Sequence, residues 1–168
     1  MPLFSPPLPI PQIIDNEVAS LTGTVTNTAS ANTVYLWAFE LYTGVTITGF
    51  RWRTGATGAG HTNCGIYTAT GNLIAGSDTG ATNDGVNTTT TATYVTAVTL
   101  SPGQYFIALA CDAADTFQAV GPAVTNNSRA KRATNVLAAG ALPLTTGAIV
   151  ANVAFVPGFA ALISGGLA

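Results

Sequence analysis

Hydrophobic and polar residues alternate along much of this chain with a period of two, the spacing of a strand with one face turned inward. From Thr33 to Thr43, Tyr35, Trp37, Phe39 and Leu41 fall on one side, and Val34, Leu36, Ala38 and Glu40 on the other. Both sets are largely apolar, which predicts a strand covered on both faces or one that uses its aromatic face for contact. Val45 to Arg53 sets Val45 and Ile47 against Thr46 and Thr48, then Phe50 and Trp52 against Arg51 and Arg53. The phase changes at Gly49, where a bulge is expected. Gly65 to Tyr67, Thr91 to Leu100 and Phe106 to Cys111 read as further strands, with shorter ones at Ser20 to Thr26 and Phe117 to Val120. No stretch sustains a 3.6-residue apolar period, so helix should be minor.

Turn signals divide these runs. Gly71-Asn72 tolerates positive φ and predicts a tight hairpin between Ile66-Tyr67 and Leu73-Ile74. Pro102-Gly103 predicts a β-turn before Tyr105, with glycine in the left-handed position. Gly55 to Gly60 and Gly76 to Thr90 are loops, the second long enough to suggest a function of its own. Asn126 to Thr134 reads as a polar loop, after which Leu137, Leu142 and Leu144 lead to two short strands about Pro157-Gly158. These elements predict an all-β domain over residues 20–168, an antiparallel β-sandwich with jelly-roll-like character. Residues 1–19 form an extended arm and lead-in. Prolines at positions 2, 6, 7, 9 and 11 remove amide donors there, while Leu3, Phe4, Leu8 and Ile10 give the arm an apolar surface to lay on a neighbouring subunit.

A length of 168 residues fits one domain, and 48% hydrophobic content argues against disorder. Only 7% of residues are charged, against roughly 25% in an ordinary soluble domain. A surface so poor in charge, with a net charge of −2, tolerates being covered by copies of itself or by a larger partner. The five basic residues, Arg51, Arg53, Arg129, Lys131 and Arg132, are too few and too scattered for a nucleic-acid footprint. No secretory signal is legible at the N-terminus, so the chain is expected to be made in the cytoplasm. The uncharged run Gly147 to Ala168 is broken by Asn152, Pro157-Gly158 and Gly165-Gly166, which argues against a membrane span. Cys64 and Cys111 fall in strand cores and are expected to be buried thiols, with a disulfide open if their strands are neighbours.

The order of several motifs resembles a recurrent β-sandwich domain of accessory virion proteins of tailed bacteriophages. The motifs are the aromatic strand Thr33-Val34-Tyr35-Leu36-Trp37-Ala38-Phe39, the strand Val45 to Phe50, Cys64-Gly65-Ile66-Tyr67 with Gly71-Asn72-Leu73, and Thr99 to Asp112. The resemblance implies a structural protein on the virion surface: a capsid decoration protein, a head fibre, or a tail-fibre or baseplate module. The chain has no repeats and no coiled-coil stalk, which favours a decoration protein bound to the major capsid protein, as a trimer at a threefold position. The arm residues Leu3, Phe4, Leu8 and Ile10 would then contact the capsid. A second expectation is a tail receptor-binding module whose loops meet host glycans, with Arg51, Arg53, Asn83, Asp84 and Asn87 as its recognition surface.

Catalytic chemistry finds little support in the residue pattern. Trp52 reads as a core residue with Arg51 and Arg53 outward, rather than as a sugar platform. His61 is the only histidine, so no transition-metal site assembles at ordinary ligand spacings, and no cofactor is expected. A nucleophilic site would need His61 to meet a serine and an acid across the fold. Asp78 with Asp84, and Asp112 with Asp115, match no calcium-loop spacing and read as solvated turn carboxylates. The chain is expected not to be an enzyme.

Overall fold

A computed structural model of the protein describes residues 26–118, 130–134, 141–151 and 159–164. In chain order its strands are β1 (Thr26–Thr28), β2 (Thr33–Leu41), β3 (Val45–Arg53), β4 (His61–Thr68), β5 (Thr82–Asn83) and β6 (Thr89–Leu100). They continue with β7 (Gly103–Cys111), β8 (Thr116–Gln118), β9 (Ala130–Thr134), β10 (Val150–Ala151) and β11 (Phe159–Ile163). Six strands form one sheet in the order β10-β9-β2-β7-β4-β5, three form another in the order β11-β3-β6, and β1 pairs with β8. All pairings are antiparallel. The chain changes sheet between β2 and β3, between β3 and β4, between β5 and β6, and again between β6 and β7. The result is the expected antiparallel sandwich, and the described residues contain no helix.

The alternation in β2 places an apolar core on each face of the larger sheet. Between the sheets lie Tyr35, Phe39 and Leu41 of β2, Val45, Ile47, Phe50 and Trp52 of β3, Cys64 and Ile66 of β4, and Ile107, Leu109 and Cys111 of β7. On the outer face, Val34, Leu36, Tyr67, Ala108, Ala110 and Ala133 pack with Leu142. The segment around Leu142 fits because small residues leave a trough for it: a side chain at Gly65 would come within 2.5 Å of Leu142 Cδ1. Tyr67 ties this cover down by donating its phenol to the Pro143 carbonyl at 2.7 Å. Tyr67→Phe should therefore cost about 1 kcal/mol in urea denaturation. An unchanged midpoint would show that the bond does not hold the cover.

Side-chain hydroxyls close much of the edge of β4. The Ile66 N–H donates to Ser77 Oγ at 3.0 Å, and the Ser77 hydroxyl returns a bond to the Ile66 carbonyl at 3.1 Å. Two residues away, the Cys64 N–H donates to Thr79 Oγ1 at 3.0 Å. The first half of the long Gly76 to Thr90 loop thus satisfies strand donors and acceptors that would otherwise be open to another chain.

The expected turns are found, with differences in detail. Gly71 has φ +84° and its N–H donates to the Thr68 carbonyl at 2.9 Å, but beyond it Tyr67 and Leu73 form only an isolated bridge. Gly103 is not left-handed. It has φ 158°, close to extended, because pairing with Leu41 draws it into β7. The Tyr105 hydroxyl reaches back to the Ser101 carbonyl at 2.9 Å and pins this corner. The Gly49 bulge is present: Ile47 pairs with Val98 and Gly49 with Thr93, so residues 94–97 of β6 oppose Thr48 alone.

Two readings need correction. Ala130–Thr134, expected within a polar loop, is strand β9, because the second edge of β2 is available and Ala133 can bury against it. The closing strands do not pair with each other: β10 joins β9, and β11 joins β3 in the opposite sheet. The arm residues Leu3, Phe4, Leu8 and Ile10 lie outside the described residues, as do residues 20–25 of the first expected strand. Among the described residues no helix is long and apolar enough to cross a membrane.

Candidate functional site

At one end of the sandwich three connections converge: Thr54 to Gly60 between β3 and β4, Asp84 to Thr88 between β5 and β6, and Asp112 to Asp115 between β7 and β8. Glycines allow the first two to touch. A side chain at Gly58 would stand 2.5 Å from the Gly85 carbonyl oxygen, so neither loop can draw back without losing the contact. Backbone bonds hold them together, the Asn87 N–H donating to the Gly55 carbonyl at 2.7 Å and the Asp84 N–H to the Gly60 carbonyl at 3.1 Å. Buried Thr54 adds its N–H to the Thr88 carbonyl at 3.0 Å, and the Thr88 N–H returns a bond to Thr54 Oγ1 at 3.1 Å.

Three carboxylates brace this end. Asp115 is fully buried and accepts the Ala59 N–H at 2.8 Å and the Gly60 N–H at 3.1 Å. Asp112 accepts both the His61 N–H and His61 Nδ1, each at 2.7 Å. Asp84 accepts the Trp52 indole N–H at 3.1 Å and the Thr62 hydroxyl. Burial pushes the Asp84 carboxyl up to about 6, and the nearby Asp115 adds to the rise against the two bonds that oppose it. Desolvation acts to raise Asp112 as well, but its bonds and charge interaction with His61 hold it below the usual carboxylate range.

These positions revise the candidate residues. Asp84 and Asp115 are not solvated turn carboxylates, because Asp84 is turned inward onto donors of β3 and β4 and Asp115 onto the N–H groups of the loop between those strands. Asp78 does behave as a turn residue, taking the Gly80 N–H two positions on. Of the recognition set, Asp84 therefore points into the protein, while Asn83 and Asn87 are exposed. Asn87 has φ +52°, a conformation that asparagine tolerates better than most residues, which accounts for it as a turn former. Arg51 and Arg53 lie apart on the outer face of the smaller sheet. Arg51 Nε donates to Thr91 Oγ1 at 3.3 Å and Arg53 Nη1 to Thr89 Oγ1 at 3.0 Å, beside a Thr46–Thr99 hydroxyl pair at 3.0 Å. Trp52, wholly buried beneath them, is the core residue its alternation indicates.

The structure also brings together what the sequence could not. His61 meets an acid, Asp112, while its side chain keeps 45% of its surface exposed. Among the described residues no hydroxyl is hydrogen-bonded to its Nε2. Cys64 and Cys111 are buried and free on neighbouring strands. Burial pushes both thiols up, Cys111 to about 12, which leaves them protonated and unreactive. Among the described residues no cluster of three or more His, Cys, Asp or Glu side chains could hold a metal ion. Comparison with known protein families, curated proteins and solved structures finds no match to this chain.

Proposed function

We propose that this protein is a structural component of a tailed-bacteriophage virion, a capsid decoration protein that binds and stabilises the lattice of the major capsid protein. It would be made in the host cytoplasm, act as a trimer and sit on the particle surface. The observation that carries the reading is the ordered set of motifs through Asp112, which resembles accessory virion domains. Those motifs build β2, β3, β4 and the β6–β7 corner, the framework of the sandwich. Support also comes from the outer face of β3 and β6, where Arg51 and Arg53 each donate to a threonine of β6 beside a Thr46–Thr99 hydroxyl pair, a polar surface suited to being covered. Buried Asp115 is likewise engaged, bracing the loop between β3 and β4. Affinity would come from apolar area buried by the Pro-rich arm, at about 25 cal/mol per Å² before the cost of association.

Deletion of Met1 to Pro11 should abolish binding to the capsid while leaving the thermal unfolding of the isolated protein intact. Unchanged occupancy on particles would remove the arm from the mechanism. A full-length protein that binds no capsid would remove the decoration reading itself. A second reading, a tail module recognising host surface glycans, is favoured by the direct contact of the Gly55 to Gly60 loop with Asp84 and Asn87. It requires the purified protein to bind host cells and to block phage adsorption.

A further inference from the structure

Strand β6 has β3 on one side and, among the described residues, no partner on the other. From Thr89 to Thr93 it carries no charge and no proline, two devices that ordinarily keep an edge from pairing with another chain. The bulge that disturbs residues 94–97 begins only after this stretch. Arg51 and Arg53, two positions apart on β3, reach across it and donate to Thr91 and Thr89 of β6. Their guanidinium groups are therefore carried from β3 toward the open edge. Among the described residues neither meets a carboxylate, and Arg53 Nε, shielded from solvent, has no acceptor.

The chain holds seven acidic residues, and five of them are engaged elsewhere. Asp78, Asp84, Asp112 and Asp115 accept bonds from their own surroundings, and Glu40 takes the Tyr42 hydroxyl at 3.3 Å. The other two are Asp15 and Glu17, at the same spacing as the arginines, within the run Ile13-Ile14-Asp15-Asn16-Glu17-Val18. On extended chains alternate side chains share a face about 6.6 Å apart, so carboxylates two positions apart match guanidiniums two positions apart. Ile14 and Val18 would then fall on the opposite face, beside Ala92 at the rim of the core between the sheets. We propose that residues 13–18 of a second copy of this chain add as a strand to the Thr89 to Thr93 edge of β6, with Asp15 and Glu17 meeting Arg51 and Arg53.

The position of β1 points to another copy as the source. Successive amides of an extended chain face opposite sides. The Thr54 N–H donates to the Thr88 carbonyl, on the β6 side, and the Gly55 N–H to the Thr116 carbonyl, which places β8 on the far side of β3. β1 lies beyond β8, so Thr26, the first described residue, stands on the side of the sheet away from the β6 edge. A lead-in passed to a neighbour is a head-to-tail contact, which closes a ring when repeated. This deepens the trimer of the proposed function and rests on that reading for self-association alone.

The test is sedimentation velocity of the full chain at low salt. Wild type should form an oligomer whose dissociation constant rises on the order of tenfold with either Arg51→Glu/Arg53→Glu or Asp15→Arg/Glu17→Arg, since each change replaces attraction by like-charge repulsion. An equimolar mixture of the two variants should recover association, because the lead-in of each is complementary to the β6 edge of the other. A monomeric wild type would overturn the proposal, as would unchanged association in the Asp15→Arg/Glu17→Arg protein. Weakening without recovery in the mixture would assign the lead-in to its own subunit and overturn it equally. Should the arginine variant fail to fold, the lead-in variant measured against wild type decides alone. Capsid binding is scored separately, so an oligomer that meets these results and binds no capsid upholds the edge pairing and removes only the decoration reading.

Discussion

Trp52→Ala is expected to lose about 3–5 kcal/mol of unfolding free energy, enough to leave a domain of ordinary stability only partly folded at room temperature. Trp52 is fully buried between the sheets, so truncation leaves a large cavity lined by residues anchored in strands on either side. It also removes the donor that Asp84 accepts at 3.1 Å, leaving a half-buried carboxyl with one fewer partner. Trp52→Phe separates the two contributions, because it keeps much of the ring volume and loses only the N–H. It should cost clearly less than Trp52→Ala. Denaturant titration at one pH measures both, and a loss below about 1 kcal/mol for Trp52→Ala would contradict the packing described.

Gly49→Ala should cost about 3 kcal/mol, far above an ordinary glycine-to-alanine change. A methyl group there would lie 2.7 Å from Thr93 Cα and closer still to the Ala92 carbonyl oxygen, both backbone atoms of the paired strand. Backbone held in a ladder cannot rotate away as a side chain can, so β3 and β6 would have to part at the bulge. Gly80→Ala is the control: Gly80 has φ +71° but no atom within 4 Å of the added methyl, so that change should cost only about 1 kcal/mol. Equal losses for the two variants would show that conformation, rather than the close approach at the bulge, makes glycine necessary at position 49.

The alternation of β2 and β3 was legible because a period of two survives whatever the strands later pair with. Gly49 betrayed its bulge by interrupting that period, and Trp52 declared itself a core residue by falling in phase with Phe50. β9 was not legible. Ala-Lys-Arg-Ala-Thr has the composition of a loop, and only the open edge of β2 makes it a strand. The same limit explains the carboxylates. Asp84, Asp112 and Asp115 each look like turn residues locally, and what distinguishes them is whether donors from residues distant in the sequence arrive to meet them.

Sequence alone determined the class of this protein: an antiparallel sandwich with both faces of a central strand covered, a bulge at Gly49 and buried thiols at Cys64 and Cys111. Such features depend on side-chain chemistry and short-range spacing, which the chain carries wherever it goes. Tertiary structure decided which strands pair, that the long loop seals the edge of β4, and that three connections meet at one end of the sandwich. Those depend on contacts between residues separated by tens of positions, such as Asp115 with Ala59 and Gly60, whose meeting no local pattern specifies.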